Sequence, residues 1–441
     1  MHTPRDNMLD AFLKAIPERS RDSSLWVAYS GGADSTALLH GLRQLQIPDL
    51  RAVHIHHGLQ QRADDWEMHC HRFCRRIGVP LKSVRAEVRA SGTGVEAAAR
   101  EARYAAIAEC MKPGDVLATA HHQDDQAETF LLALMRGAHV NGLSAMPGLR
   151  DFGPGCLWRP LLDCPRQVIL DYVAKHELAF VEDPQNNDLR FSRALLRQQV
   201  LPQLRTQWPQ VKQRLAQTAA EMAQTAQLLE QIALQDLRQL SGDGAEVPAC
   251  LPAAALRQLT AVRRNNLVRG WVRASGLPQP PAAVLARIHA ELLDAGGDRN
   301  PCLRWNGAEW RRYRDQVFLM PNLAPIPKLW QVPWSGQCPL ILPASAGTVH
   351  AHGGAGRRNW TVRFVQGGER FRPHGKRRLR SLKNLFQEAG IPPWIRQRTP
   401  LIEDETGVRW VGGLGRGEPP LPRVKMNWQT NLVGVTCPTC H

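Results

Sequence analysis

The chain has 441 residues, 43% of them hydrophobic, and 56 Lys and Arg against 40 Asp and Glu, a formal net charge of +16. That length allows about three domains, and the apolar fraction supports packed cores rather than long disorder. No apolar run approaches the ~20 residues of a membrane span, and the opening MHTPRDNMLD lacks the apolar core of a secretory signal, so a soluble, cytoplasmic protein without a membrane partner is expected.

The first informative stretch is LWVAYSGGADST, residues 25–36. Leu25 to Tyr29 is long enough for one buried strand. Ser30, Gly31 and Gly32 turn the chain, and Ala33, Asp34 and Ser35 open an amphipathic helix carrying Leu38, Leu39 and Leu42. A strand, a glycine turn and a helix N-terminus form an anion site, because glycine lets the backbone approach a phosphate and the helix presents unpaired N–H groups. No Lys follows as in a Walker A loop. Asp34 stands there instead, suited to a metal ion bridging phosphates.

Strand Leu50–His56, helix Asp64–Ile77, strand Leu81–Glu87, helix Val95–Met111, strand Val116–Ala120 and helix Asp124–Arg136 follow. Alternation of this kind implies a parallel sheet covered on both faces, whose ligands bind beyond the carboxyl ends of the strands. Ser30 and His121 both fall there. In ATAHHQDDQAET, residues 118–129, His121, Asp124, Asp125 and Glu128 share one helix face. Carboxylates beside a phosphate loop are candidates for Mg²⁺ or ammonium binding. Glu96 and Arg100 form an i,i+4 pair that alone reads as a solvated helix. Arg190, Arg193 and Arg197, after the acidic turn at 182–188, could clamp phosphate or simply coat a surface.

Gln207–Leu240 reads as one long helix, with further helices at Leu256–Ser275 and Ala282–Asp294 and a hairpin within Trp305–Met320. Arg263, Arg264, Arg269 and Arg273 read as a solvated face. Pro321–Pro333 reads as a linker. Residues 335–441 hold 16 Lys and Arg against 6 Asp and Glu, a concentration of positive charge that suits nucleic acid. Ten scattered cysteines indicate thiols rather than a disulfide framework. The pairs Cys70/Cys74 and Cys437/Cys440 read as a packed helix and an incidental terminal spacing.

SGGADS, VHIHHGL at 53–59, EAAAREARY at 96–104, ATAHHQDDQAET, RPLL at 159–162 and the EDPQNND run appear in this order. Together they resemble the tRNA(Ile)-lysidine synthetases, PP-loop ATP pyrophosphatases. The family usually reads HVNHGLR where this chain has His56 and Gln60, so neither residue is given a role. The resemblance implies an α/β fold: a parallel-sheet PP-loop (adenine nucleotide alpha hydrolase-like) domain over 1–206, a mostly helical, tRNA-contacting middle domain over 207–320, and a small basic α+β tRNA-binding domain over 334–441. It also implies ligation of L-lysine to C2 of the wobble cytidine of the CAU-anticodon isoleucine tRNA, through an adenylated intermediate. ATP would lie on Ser30, Gly31, Gly32, Ala33, Asp34 and Ser35, with Mg²⁺ on Asp34 and Asp125. Asp125 and Glu128 would position the lysine ammonium or metal, His121 would sit beside the base, and Arg100, Arg193 and Arg197 would stabilise phosphate charge. A homodimer is one assembly this leaves open. The nearest rival, a 2-thiolating PP-loop enzyme, would need catalytic cysteines; a non-catalytic ATP sensor would not need the HHQDDQAET segment.

Overall fold

The structure, a computed structural model, describes residues 17, 23–56, 63–85, 95–182, 188–241, 247–296, 300–353, 359–419 and 424–430. The family segments His57–Leu59 and 183–187, and Cys437 and Cys440, lie outside the described residues, as does the side chain of Glu96. Two compact units divide the chain, Met1–Leu228 and Leu229–His441. Residues 229–320 of the middle stretch share a unit with the C-terminal stretch, and no described helix is long and apolar enough to cross a membrane.

The first unit is built on a six-stranded sheet of order β3-β2-β1-β4-β6-β5. Its strands are β1 (Leu25–Ala28), β2 (Leu50–His56), β3 (Leu81–Arg85), β4 (Val116–Ala118), β5 (Leu149–Phe152) and β6 (Gly155–Trp158). All neighbours pair in parallel except β5, which runs antiparallel along β6 at the edge. The sequence offered no periodic signal for this short hairpin. Between the strands come α1 (Ala33–Gln44), α2 (Ala63–Ile77), α3 (Val95–Ala108) and α4 (Gln123–Met135), followed by α5 (Val140–Leu143) and α6 (Arg166–Lys175).

Alternation along β1 accounts for the layering. Leu25 and Val27 are buried in the core with Leu38, Leu42, Phe73 and Tyr172. Trp26 joins Ile107, Met111 and Leu157 in a second cluster. Burying each such side chain contributes about 1.5–3 kcal/mol, so both faces of the sheet are closed and ligands are left its carboxyl edge.

The arginine-rich stretch is less regular than expected. It comprises α7 (Ser192–Leu195), a π-helical turn at Leu196–Val200, and α8 (Leu201–Gln207). Arg190 precedes the helix, exposed and paired with Asp188 at 2.6 Å. The long helix α9 runs from Val211 to Leu240 rather than from Gln207, because Pro209 disfavours helical geometry at Trp208.

In the second unit, the expected helix over 256–275 is two, α10 (Ala253–Gln258) and α11 (Ala261–Ala274), divided where the Thr260 hydroxyl accepts from the Arg263 N–H at 3.4 Å. The middle stretch is helical as expected, and a sheet accompanies its helices. The expected hairpin is part of a four-stranded sheet of β7 (Cys250–Pro252), β8 (Cys302–Trp305), β9 (Ala308–Tyr313) and β10 (Gln316–Pro321). Arg263 pairs with Asp236 at 2.8 Å, Arg273 with Glu230 at 3.2 Å, and Arg264 is buried, so much of that basic face is internally partnered.

The proline-rich stretch is only partly a linker. Its end is strand β11 (Gln331–Trp334), which pairs with the strand Trp360–Phe364 as the edge of a five-stranded sheet, where Pro333 is tolerated. Phe318 of β10 also packs edge-on against Trp394, with ring centroids 5.5 Å apart.

Candidate active site

The glycine turn is held by its own side chains. The Ser35 hydroxyl donates to the Gly32 carbonyl at 3.0 Å, lies 3.1 Å from the Ser30 hydroxyl, and accepts from the Ser30 N–H at 3.3 Å. Gly31 has φ +82°, and a Cβ there would lie 3.0 Å from Cys70 Sγ and 3.1 Å from Val181 Cγ2. Glycine alone meets both demands. The Gly31 carbonyl accepts from the Val181 N–H at 2.9 Å, which ties the loop to the segment before the arginines. Gly32 caps α1, so Ala33, Asp34 and Ser35 begin the helix.

A cavity of about 400 Å³ opens beside this loop. Its walls come from the ends of three strands: Tyr29 and Ser30 after β1, Val53 and Ile55 on β2, and Thr119 and His121 after β4. Trp66 and Tyr104 add aromatic surface. An apolar chamber opening onto a phosphate-type loop has the build of a nucleoside site. No single motif marked it, since its walls are scattered over six elements.

Asp34 faces this region with one carboxylate oxygen uncommitted. Oδ2 lies 3.8 Å from His122 Nε2, whereas Oδ1 is buried without a hydrogen bond and lies 3.7 Å from Arg166 Nε. A hard oxygen donor left open beside a phosphate loop fits a divalent cation such as Mg²⁺. Asp125 offers less, for its oxygens are engaged: Oδ2 accepts from the His122 N–H at 3.1 Å and lies 3.4 Å from His122 Nε2, while Oδ1 accepts from Arg197 at 3.2 Å. His122, which sequence reasoning missed, thus stands between the two carboxylates. The doubled His at a helix start was the available signal.

The acids of α4 each have a cation. Asp124 meets Lys212 at 2.5 Å. Glu128, with a side chain 1% exposed, accepts from Arg197 Nε at 2.7 Å and Nη2 at 3.0 Å. Arg197 reaches them from the π-helical turn, a distortion frequent at functional sites. Glu128 thus anchors Arg197, and Arg197 sits on two carboxylates. Burial opposes the Arg197 charge, yet the Glu128 contact outweighs it and holds the guanidinium protonated. Burial also works to raise Asp125, but His122, His121, the His122 N–H and Arg197 together keep it ionised below the usual carboxylate range.

His121 lines the cavity and has Nδ1 2.8 Å from the Thr119 hydroxyl. Burial drives its imidazole down to about 3; Asp125 opposes this, and Arg159, Arg100 and Arg193 add to the fall. His121 is therefore neutral at physiological pH, able to hydrogen-bond but poor as a base. Arg100 lies with its guanidinium 5.3 Å from the Tyr104 ring, and Arg193 donates to the Thr129 hydroxyl at 3.1 Å. Arg159, which the RPLL segment contained without singling out, is buried, bonds the Pro147 carbonyl at 2.6 Å and keeps an unpaired Nε. Cys70 and Cys74 are buried thiols pushed up to about 12, so neither supplies the thiolate of a thiolating enzyme.

Three family signatures match in order: a PP-loop domain over residues 4–204, a TilS substrate binding domain over 251–318, and a TilS substrate C-terminal domain over 360–419. A tRNA(Ile)-lysidine synthase of Methylococcus capsulatus is 39% identical over 92% of this chain and 96% of its own length. The chain belongs to the tRNA(Ile)-lysidine synthase family. Other synthases of this family are similar over comparable spans: that of Xanthomonas axonopodis pv. citri is 42% identical over 88% of each chain, and that of Coxiella burnetii 40% over 89% of each. Membership makes the first unit an ATP-using PP-loop domain and gives the chain tRNA as its partner.

Proposed function

We propose that the chain joins L-lysine to C2 of the wobble cytidine of the CAU-anticodon isoleucine tRNA, at the expense of ATP, which leaves as AMP and diphosphate. The change would switch codon reading from AUG to AUA and tRNA identity from methionine to isoleucine. The C2 oxygen of cytosine is a poor leaving group. Attack of that oxygen on the ATP α-phosphorus expels diphosphate and gives an O-adenylated base; the neutral ε-amine of lysine then attacks C2 and AMP departs. The observation that supports this reading is the cavity between the Ser30–Ser35 loop and His121, which would admit both an α-phosphate and a base turned out of its stack.

Ser30, Gly31, Gly32, Ala33 and Ser35 would hold the phosphates through backbone N–H and hydroxyl groups. Asp34 would hold Mg²⁺, which when bound offsets charge on the phosphate oxygens. Arg100, Arg193 and Arg159 would stabilise negative charge developing at the α-phosphate. Neutral His121 would orient the base by hydrogen bonding. Asp125, ionised and with lone-pair capacity beyond its present partners, would receive the lysine ammonium before that group gives up a proton to solvent. Glu128 would act through Arg197, which it orients.

Asp34→Asn tests the phosphate end. Diphosphate release dependent on tRNA should fall by more than about 100-fold, with tRNA affinity retained; unchanged turnover would remove Asp34 from the reaction.

A further inference from the structure

Arg166, the first residue of α6, has no part in the chemistry above, yet it stands at the phosphate end of the site. Helices α1 and α6 lie side by side and run the same way. At their starts Asp34 Oδ1 lies 3.7 Å from Arg166 Nε. Equally far along both helices, His40 Nδ1 meets the Tyr172 hydroxyl at 2.9 Å. Leu38 and Leu42 of α1 share one core cluster with Ile169, Tyr172 and Val173 of α6. Both N-termini, with their partial positive charge, therefore open at the same end.

Arg166 and Asp34 do not complete a hydrogen bond. A guanidinium settled on a carboxylate donates at about 2.7–2.9 Å. Here Nε and Oδ1 are both buried, and neither has a hydrogen-bond partner among the described residues. A buried donor facing a buried acceptor just out of reach is costly to keep. Both atoms are satisfied together by a ligand that brings a cation to Oδ1 and an anion to Nε. A polyphosphate carrying a divalent cation is such a ligand. The nucleoside chamber is lined by Asp34 and not by Arg166, which sets Arg166 outside the chamber, beyond Asp34. No acid in the first turn of α6 opposes an anion there, and the Arg166 side chain is 39% exposed, so it has room to turn.

We propose that Arg166 holds the diphosphate leaving group, an inference that rests on the ATP-cleaving reaction proposed above. When the cytosine oxygen attacks the α-phosphorus, the bond from that phosphorus to the bridging oxygen breaks. Its electron pair stays on the bridging oxygen. Negative charge gathers on the departing diphosphate, and the Arg166 guanidinium, aided by the N-terminus of α6, offsets it.

The test compares the full wild-type chain with Arg166→Gln and Arg166→Lys. Dissociation constants are measured for inorganic diphosphate and for AMP, each with Mg²⁺ and without tRNA or lysine. Thermal transitions of all three chains should coincide, since the Arg166 side chain lies at a helix start and is partly exposed. Arg166→Gln should weaken diphosphate binding about tenfold and AMP binding by less than about twofold. Arg166→Lys, which keeps the charge without the planar fork, should fall between Arg166→Gln and wild type. Unchanged diphosphate affinity in folded Arg166→Gln would overturn the assignment. So would an equal loss for AMP and diphosphate, the mark of a general disturbance of the loop. Neither probe involves tRNA, so failure of this assignment leaves lysine transfer by the wild-type chain untouched. Absence of transfer, with the diphosphate result intact, would remove only the lysine-transfer reading.

Discussion

Arg197 grips both oxygens of the buried Glu128 and touches Asp125 with the same guanidinium. The α4 acids and the arginine segment are thereby one unit, although nearly seventy positions separate them. Taking away one member of so buried a pair leaves an uncompensated charge. Glu128→Gln should lower stability by about 3 kcal/mol, read as a urea midpoint, and should reduce turnover. Arg197→Lys should not restore turnover, because an ammonium cannot make the bidentate contact. Wild-type stability and turnover in both variants would show that the pair is dispensable.

The neutral His121 gives a pH signature. Its folded pKa of about 3 lies below the usual 6.5, so as pH falls from 6.5 towards 3 the unfolded chain takes up a proton that the folded chain refuses. Its contribution is complete above pH 6.5 and is lost progressively below, by at most ~1.4 kcal/mol per pH unit. His121→Gln should flatten the fall of melting temperature between pH 6.5 and 4. Parallel curves for the two proteins would contradict the neutral imidazole.

Lys376, Arg377 and Arg378 are exposed in the basic stretch of the second unit. Replacing all three by Ala should weaken tRNA binding at low salt and reduce the slope of log K against log salt by about one for each phosphate that is no longer neutralised. An unchanged slope would mean that these charges do not meet the RNA. Deletion from residue 335 is a poorer experiment, because it would strip β11 of its partner strand and Phe318 of Trp394.

The parallel sheet and its loop were legible because local signals agreed: the apolar run of β1, the glycine turn, and a helix period directly after. Asp34, His121 and Asp125 were legible as residues near one sheet edge. Their partners were not. Which carboxylate binds Arg197, and which keeps an open oxygen, depends on a π-helical turn and on burial, neither of which has a sequence period. His122 was hidden for a related reason, since only its ring position distinguishes it from His121. In the second unit, short strands such as Cys250–Pro252 carry too few residues to show alternation, so the middle sheet read as little more than a hairpin. Proline-rich composition likewise hid β11, because an edge strand tolerates Pro that an inner strand would not.

The central claim is lysine transfer to one base of one tRNA. It is tested most directly by following labelled lysine into an isoleucine tRNA transcript with a CAU anticodon, in the presence of ATP and Mg²⁺, beside a methionine tRNA with the same anticodon. Label confined to the isoleucine tRNA, with AMP and diphosphate formed in equal amounts, is the predicted result. Diphosphate release without lysine incorporation, from folded protein, would contradict the account.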